Sequence, residues 1–255
     1  MMNGIILAAG RGSRMGERTR ELPKCMATLE GRTLLEWQID ALRAGGIEDL
    51  TVVRGYRAES IQGDFQTLEN PRWESTNMVR TLQVADALLS AGPCIVSYSD
   101  IVYHPDHVRK LSACGGDIAI TFDRLWNDLW SMRFADPLSD AETFREQDGL
   151  LQEIGGKTTD PAQVQGQYMG LLLFRPAGWA RARAQLEALG DAADRLDMTG
   201  LLRRLLASGA AIATVPVEGR WCEADNQDDL AMYEARVSGI EATEIPWTHD
   251  WRWNR

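Results

Sequence analysis

The opening of the chain narrows the fold more than any other stretch. Gly4-Ile5-Ile6-Leu7 is an apolar run of the kind a strand buried on both faces shows. It leads directly into Leu7-Ala8-Ala9-Gly10-Arg11-Gly12-Ser13-Arg14-Met15, with Thr19, Pro23 and Lys24 a short way on. A buried strand that ends in a loop of small and basic residues predicts the first crossing of a parallel α/β sheet, the place where such sheets seat ligands. Ala8, Ala9, Gly10 and Gly12 lack bulk, so main-chain N–H groups of Leu7 to Ser13 can approach a polyphosphate closely. Arg11, Arg14 and Lys24 add full positive charge around the same point.

Two familiar glycine motifs fail on spacing. A dinucleotide fingerprint needs glycine where Met15 stands, and a P-loop needs Gly-Lys-Ser/Thr, which is missing here. The longer pattern L-A-A-G-x-G-x-R-M, then Thr19, then Pro23-Lys24, resembles the signature of the GT-A-like, Rossmann-like nucleotidyltransferases that act on sugar phosphates and phosphocholine. The resemblance implies a mixed, mostly parallel sheet flanked by helices, with an inserted lid or acceptor lobe.

Composition bounds the partners. A net charge of −10 over 255 residues argues against nucleic acid or an anionic membrane as partner, so an anionic substrate must be met by a local basic cluster. Cys25, Cys94, Cys114 and Cys222 form no C-x-x-C pair and indicate neither a zinc site nor a disulfide framework. The N-terminus enters a strand at once and no apolar run is long enough to span a bilayer, which predicts a cytoplasmic protein. We expect one domain over residues 1–240, with the insertion at about 124–166, and a tryptophan-rich tail over 241–255.

In chain order, Leu35, Ile39 and Leu42 mark a helix from Thr33 to Ala44, and Leu50–Val53 a second strand; a parallel βαβ unit follows. Ile61 to Asn70 shows little period. Thr76-Asn77 stands before the helix-spaced Met78, Leu82, Ala85 and Leu89, where it reads equally as an N-cap or a nucleotide contact. Cys94–Tyr98 is a third buried strand with Ser99-Asp100 at its end. A carboxylate there suits Mg²⁺, which takes oxygen ligands; capping the turn before Pro105 is the structural alternative.

A helix over Pro105–Leu111 and a strand over Asp117–Phe122 come next. Asp148-Gly149 between alternating residues predicts a hairpin. Trp126 and Trp130 share one face if helical, and core packing or a cation–π site for a quaternary ammonium explains them equally; Arg133 or Lys157 would take an anionic end. Gln167–Phe174, with Tyr168, is a returning strand, followed by helices over 176–189 and 197–208 and a strand over 211–217. Trp221-Cys222-Glu223-Ala224-Asp225 precedes a helix capped by Asn226, and Glu223 and Asp225 share one side of an extended segment.

The same resemblance implies roles. It puts Arg14 and the loop amides on a triphosphate, Lys24 near the α-phosphate, and Ser99 with the Thr76-Asn77 loop beside the nucleotide. Asp100 and Asp225 would hold Mg²⁺, and Lys157 would meet the acceptor's phosphate. Trp126, Trp130, Arg133, Tyr168, Trp221 and Glu223 complete the expected acceptor side. The segments SYSDIVY, DPLSDAETF, GQYMGLLLF and WCEAD look most like the bacterial phosphocholine and phosphonate cytidylyltransferase branch. CTP is then the donor and a small phosphate or phosphonate the acceptor, with pyrophosphate released. A sugar-1-phosphate uridylyl- or thymidylyltransferase is the alternative within this chemistry, and a non-catalytic nucleotide-binding module the alternative outside it. Trp247, Trp251 and Trp253 of the tail read equally as packing on the lobe or as joining a partner subunit in a homodimer.

Overall fold

The computed structural model describes residues 2–12, 22–243 and 246–253. In order, the chain forms β1 (Asn3–Ala8), β2 (Thr28–Leu29), β3 (Arg32–Thr33), α1 (Leu34–Ala44), β4 (Asp49–Arg54), β5 (Gln66–Glu69), α2 (Met78–Gln83), α3 (Asp86–Ala91) and β6 (Cys94–Tyr98). It continues through β7 (Ile101–Tyr103), α4 (Pro105–Ser112), β8 (Ile118–Asp123), α5 (Trp126–Arg133), β9 (Phe144–Gln147), β10 (Leu150–Ile154) and β11 (Gln167–Phe174). α6 (Pro176–Leu189), α7 (Met198–Ala207), β12 (Ala213–Val217), β13 (Trp221–Glu223) and α8 (Gln227–Thr243) complete it.

Nine strands make one sheet in the order β5-β4-β1-β6-β11-β8-β12-β10-β9. β1 lies parallel to both β4 and β6, and β12 parallel to β8, while β11 runs antiparallel between β6 and β8. The carboxyl ends of β1, β6 and β8 therefore share an edge with the amino end of β11. Alternation along β1 splits the core: Ile6 and Ala8 face the layer containing α1, α4 and α8, whereas Ile5 and Leu7 face the layer of α2, α6 and α7.

Local chemistry explains the elements that frame the site. Thr33 caps α1 in a full capping box with Glu36. Asp148 and Gly149, both at positive φ, turn β9 into β10 as the Asx-Gly pair predicts. Within residues 124–166, β9 and β10 extend the main sheet beyond β12. The tail packs on the domain. Trp247 and Trp251 are buried, Trp251 meets Trp37 edge-on at 5.9 Å, and His249 Nε2 reaches the buried Asp123 Oδ2 at 2.9 Å.

Candidate active site

Two cavities open along the shared strand edge, and a cluster of charges separates them. The first, of about 210 Å³, is lined by Leu7, Ala9, Gly10 and Gly12 from the loop after β1, by Thr76, Asn77 and Trp73, and by Ser99-Asp100. Gly12 adopts φ +70°, and a Cβ there would stand 2.5 Å from Lys24 Cβ; the glycine lets Lys24 pass beneath the loop. Asn77 is both cap and cavity wall, since its side chain accepts from the Met78 N–H at 2.7 Å. Thr76 Oγ1 donates to the Arg72 carbonyl at 2.8 Å. Ala8 instead turns into the core, and Arg11 lies over the Tyr56 ring at 5.6 Å, so neither lines the cavity. Ser13 and Arg14 lie outside the described residues.

A short two-stranded pairing brings the acids together. β13 runs antiparallel to β7 with Glu223 opposite Ile101, and the Ala224 N–H donates to the Asp100 carbonyl at 2.9 Å. This sets Asp100, Glu223 and Asp225 side by side, with one oxygen of each within 4.8 Å of the others. Lys24 Nζ donates to Asp100 Oδ2 and to Asp225 Oδ1, each at 2.8 Å. Burial opposes the Lys24 charge, but Asp100, Asp225 and Glu223 outweigh it and its pKa is raised.

Behind the acids stands Arg133, its side chain only 1% exposed. Its guanidinium donates to Glu223 Oε2 at 2.9 Å, Asp225 Oδ2 at 3.1 Å and Asp229 Oδ2 at 3.2 Å. The side chain expected to face an acceptor anion thus braces the carboxylates instead, because three acids already surround it. Burial first, then the charge of Asp225, lifts Glu223 to about 7 despite Arg133. Among the described residues, four carboxylates here face two cations, so with all four ionised the cluster is left with an excess of negative charge that one divalent ion would balance. The donors fit one: all are hard oxygens, and Asp100 Oδ1 is buried without a hydrogen-bond partner.

The second cavity, of about 250 Å³, lies on the far side of the acids. Trp130, Lys157, Tyr168, Glu223 and Asp225 line it. Tyr98 borders both cavities; Gly170, at φ +80°, lets its ring lie against β11, since a Cβ there would come within 2.7 Å of Tyr98 Cδ2. Trp126 and Trp221 do not reach this cavity. Trp126 is core and donates its indole N–H to the Val164 carbonyl at 3.2 Å, and Trp221 is core and donates to Asp123 Oδ2 at 2.9 Å. A buried indole satisfies its N–H inside the fold, and both do so here. Sequence reasoning missed Asp140, Glu142 and Thr199, which also line the cavity; DPLSDAETF was singled out as a segment, but its acids have no period to set them apart.

A glycine loop opening on a cavity beside a triad of carboxylates, on this sheet, defines a nucleotidyltransferase. The chain belongs to the MobA-like NTP transferase domain family, whose model matches residues 4–194. It is 34% identical over 249 residues to a CTP:phosphoglutamine cytidylyltransferase of Campylobacter jejuni, covering 91% of this chain and 98% of that one. It is also 30% identical over 139 residues to a 2-aminoethylphosphonate cytidylyltransferase of Lancefieldella rimae, covering 48% of this chain and 56% of that one. The fold matches the inositol-1-phosphate CTP transferase of T. maritima with a TM-score of 0.71 at 17% identity, over 94% of this chain and 97% of that one.

Proposed function

We propose that this protein moves CMP from CTP onto an oxygen of a small phosphate or phosphonate acceptor, using Mg²⁺ and releasing pyrophosphate. The observation that carries the reading is the position of Lys24, Asp100 and Asp225. Asp100 and Lys24 border the cavity of the glycine loop, Asp225 borders the other, and two ion pairs join them at the boundary. An acceptor in the second cavity therefore approaches a nucleotide in the first across these charges. Support for CTP and for a phosphorylated acceptor comes from the named activities of the relatives. Both names contain an amino acid or an amine, which favours a small nitrogen-bearing phosphate or phosphonate acceptor over a sugar phosphate.

In the reaction, an anionic acceptor oxygen attacks the α-phosphorus, forming one P–O bond. The bond from the α-phosphorus to its bridging oxygen breaks, and pyrophosphate leaves with that electron pair. An acceptor already ionised needs no general base, so positioning and electrostatics carry the rate. The loop amides of Ala9 to Gly12 hold the triphosphate, and Lys24 stands where charge develops. Asp100, Asp225 and Glu223 would hold Mg²⁺, which supplies neutralisation of the phosphate oxygens when bound.

The test is pyrophosphate release over four nucleotides and a panel of acceptors: phosphocholine, phosphoethanolamine, 2-aminoethylphosphonate, 2-hydroxyethylphosphonate and glucose-1-phosphate. Turnover is expected with CTP and a small phospho-acceptor, abolished by chelation and by Asp100→Asn or Asp225→Asn in folded protein. Turnover confined to UTP or dTTP with glucose-1-phosphate would overturn the choice of donor and acceptor. Silence throughout would favour a binding module, and full activity in both Asn variants would remove the metal site.

A further inference from the structure

The acceptor cavity holds one carboxylate that nothing in the fold employs. Asp225 is paired with Lys24 and Arg133, and Glu223 with Arg133. Asp140 Oδ2 accepts from the Trp130 indole N–H at 3.1 Å, and its carbonyl accepts from Lys157 Nζ at 3.1 Å. Glu142 differs. Its main chain is fixed from both sides by Gln167, whose Oε1 accepts from the Glu142 N–H at 3.2 Å and whose Nε2 donates to the Glu142 carbonyl at 2.7 Å. Its carboxylate lines the cavity without a hydrogen bond or ion pair among the described residues.

A half-buried acid held on a rigid backbone, open to the cavity and without a protein partner, is placed to accept hydrogen bonds from a ligand. Resting on the cytidylyl-transfer reading, we propose that Glu142 is the specificity-determining residue of the acceptor cavity and receives a primary ammonium group of the acceptor. Lys157 and Arg203 are the cations near it, and Asp140 and Asp197 the acids; burial raises its pKa, and Lys157 opposes that only in part. A primary ammonium donates hydrogen bonds to such an oxygen, whereas a quaternary one offers only charge. Aromatic rings do line the cavity, those of Tyr98, Trp130, Phe144 and Tyr168, so the choice between amines rests on the Glu142 oxygens. Glu142 therefore selects an amine that can donate over a trimethylated head that cannot.

Matched acceptors with CTP test this: 2-aminoethylphosphonate against 2-hydroxyethylphosphonate, and phosphoethanolamine against phosphocholine. The wild-type enzyme is expected to prefer the primary amine of each pair, by kcat/KM, on the order of 10- to 100-fold, the range of a charge-assisted hydrogen bond. Glu142→Gln, of the same shape and checked by its melting curve, is expected to bring that preference within about 2-fold while KM for CTP stays unchanged. A wild-type enzyme that turns over these acceptors without preferring the amine, or a Glu142→Gln enzyme that keeps the preference, overturns the assignment and leaves cytidylyl transfer standing. If wild type turns over none of the four with CTP, the underlying reading has failed first, and this assignment goes with it.

Discussion

Arg133 offers the sharpest test of how the site is held together. Its guanidinium is buried against Glu223, Asp225 and Asp229, and lies 5.4 Å from the Trp130 ring centre and 5.1 Å from that of Phe134. Arg133→Met keeps much of the stem's packing and deletes the charge. Three clustered acids then lose their common counter-ion, and removal of one partner from a buried ion pair typically costs about 3–5 kcal/mol. The aromatic contacts belong to the same group and add little independently. For a domain of this length each kcal/mol lowers Tm by roughly 2–4 °C, so the variant should melt about 6–20 °C below wild type. Urea unfolding followed by tryptophan fluorescence reads the same loss as a lower midpoint at unchanged slope. Arg133→Lys should fall between the two, since one ammonium cannot span three carboxylates as the planar fork does. The deficit should also shrink toward acid pH, where the acids discharge. A variant within about 1 kcal/mol of wild type at pH 7.5 would refute the bracing role, for which about 3 kcal/mol is the least expected.

Two further perturbations probe the layers around the sheet. His107 on α4 is 3% exposed, and burial first, then the positive charges of His104 and Lys110, push its pKa down to about 3. Above pH 6.5 neither folded nor unfolded chain carries this proton; below it the unfolded chain binds one that the fold refuses, so stability falls by about 1.4 kcal/mol per pH unit toward pH 3. His107→Leu should flatten the pH dependence of the urea midpoint between pH 6.5 and 4, and curves parallel to wild type would contradict it. Trp251, fully buried against Trp37, Tyr233 and Trp247, should cost about 3–5 kcal/mol on replacement by alanine, and an unchanged denaturation curve would show that the tail is not part of the core.

The parts of the fold that a sequence makes legible are those written by neighbouring residues. β1 is one apolar run, α1 carries its own capping box, and the β9–β10 turn is an Asp-Gly pair. β5 escaped because it is an edge strand: its four residues are mostly exposed, no face of it alternates, and it is defined only by its parallel register with β4. The tail escaped for a different reason. Its tryptophans have no period, and what holds it is Trp37 and Tyr233 against the indoles and Asp123 against His249, partners drawn from three separate segments. Trp126 and Trp130 mark the limit of periodicity itself. Spacing by four puts both on one side of α5, but that side straddles the boundary between core and cavity, so one indole is consumed by the Val164 carbonyl and the other reaches the cavity.

For the site, residue type was legible and partnership was not. Asp100 and Asp225 stand out because acids at the ends of apolar strands are poor choices for packing, and Lys24 because it follows a basic glycine loop. Nothing local says that Lys24 meets acids 76 and 201 residues away, or that Arg133 shares the second of these and meets two more, all some 90 to 96 residues on. Those pairings are produced by β7 and β13, three-residue strands too short to announce themselves. They also decide the electrostatics. Burial and the neighbouring Asp225 raise the Glu223 pKa, so the cluster resists carrying its full negative charge. A cation held among Asp100, Glu223 and Asp225, as proposed, would balance those acids and leave the Lys24 ammonium available to an anion in the adjoining cavity. On that proposal, a lysine that reads from sequence as a phosphate contact and a lysine that sits on two carboxylates are compatible descriptions of one side chain.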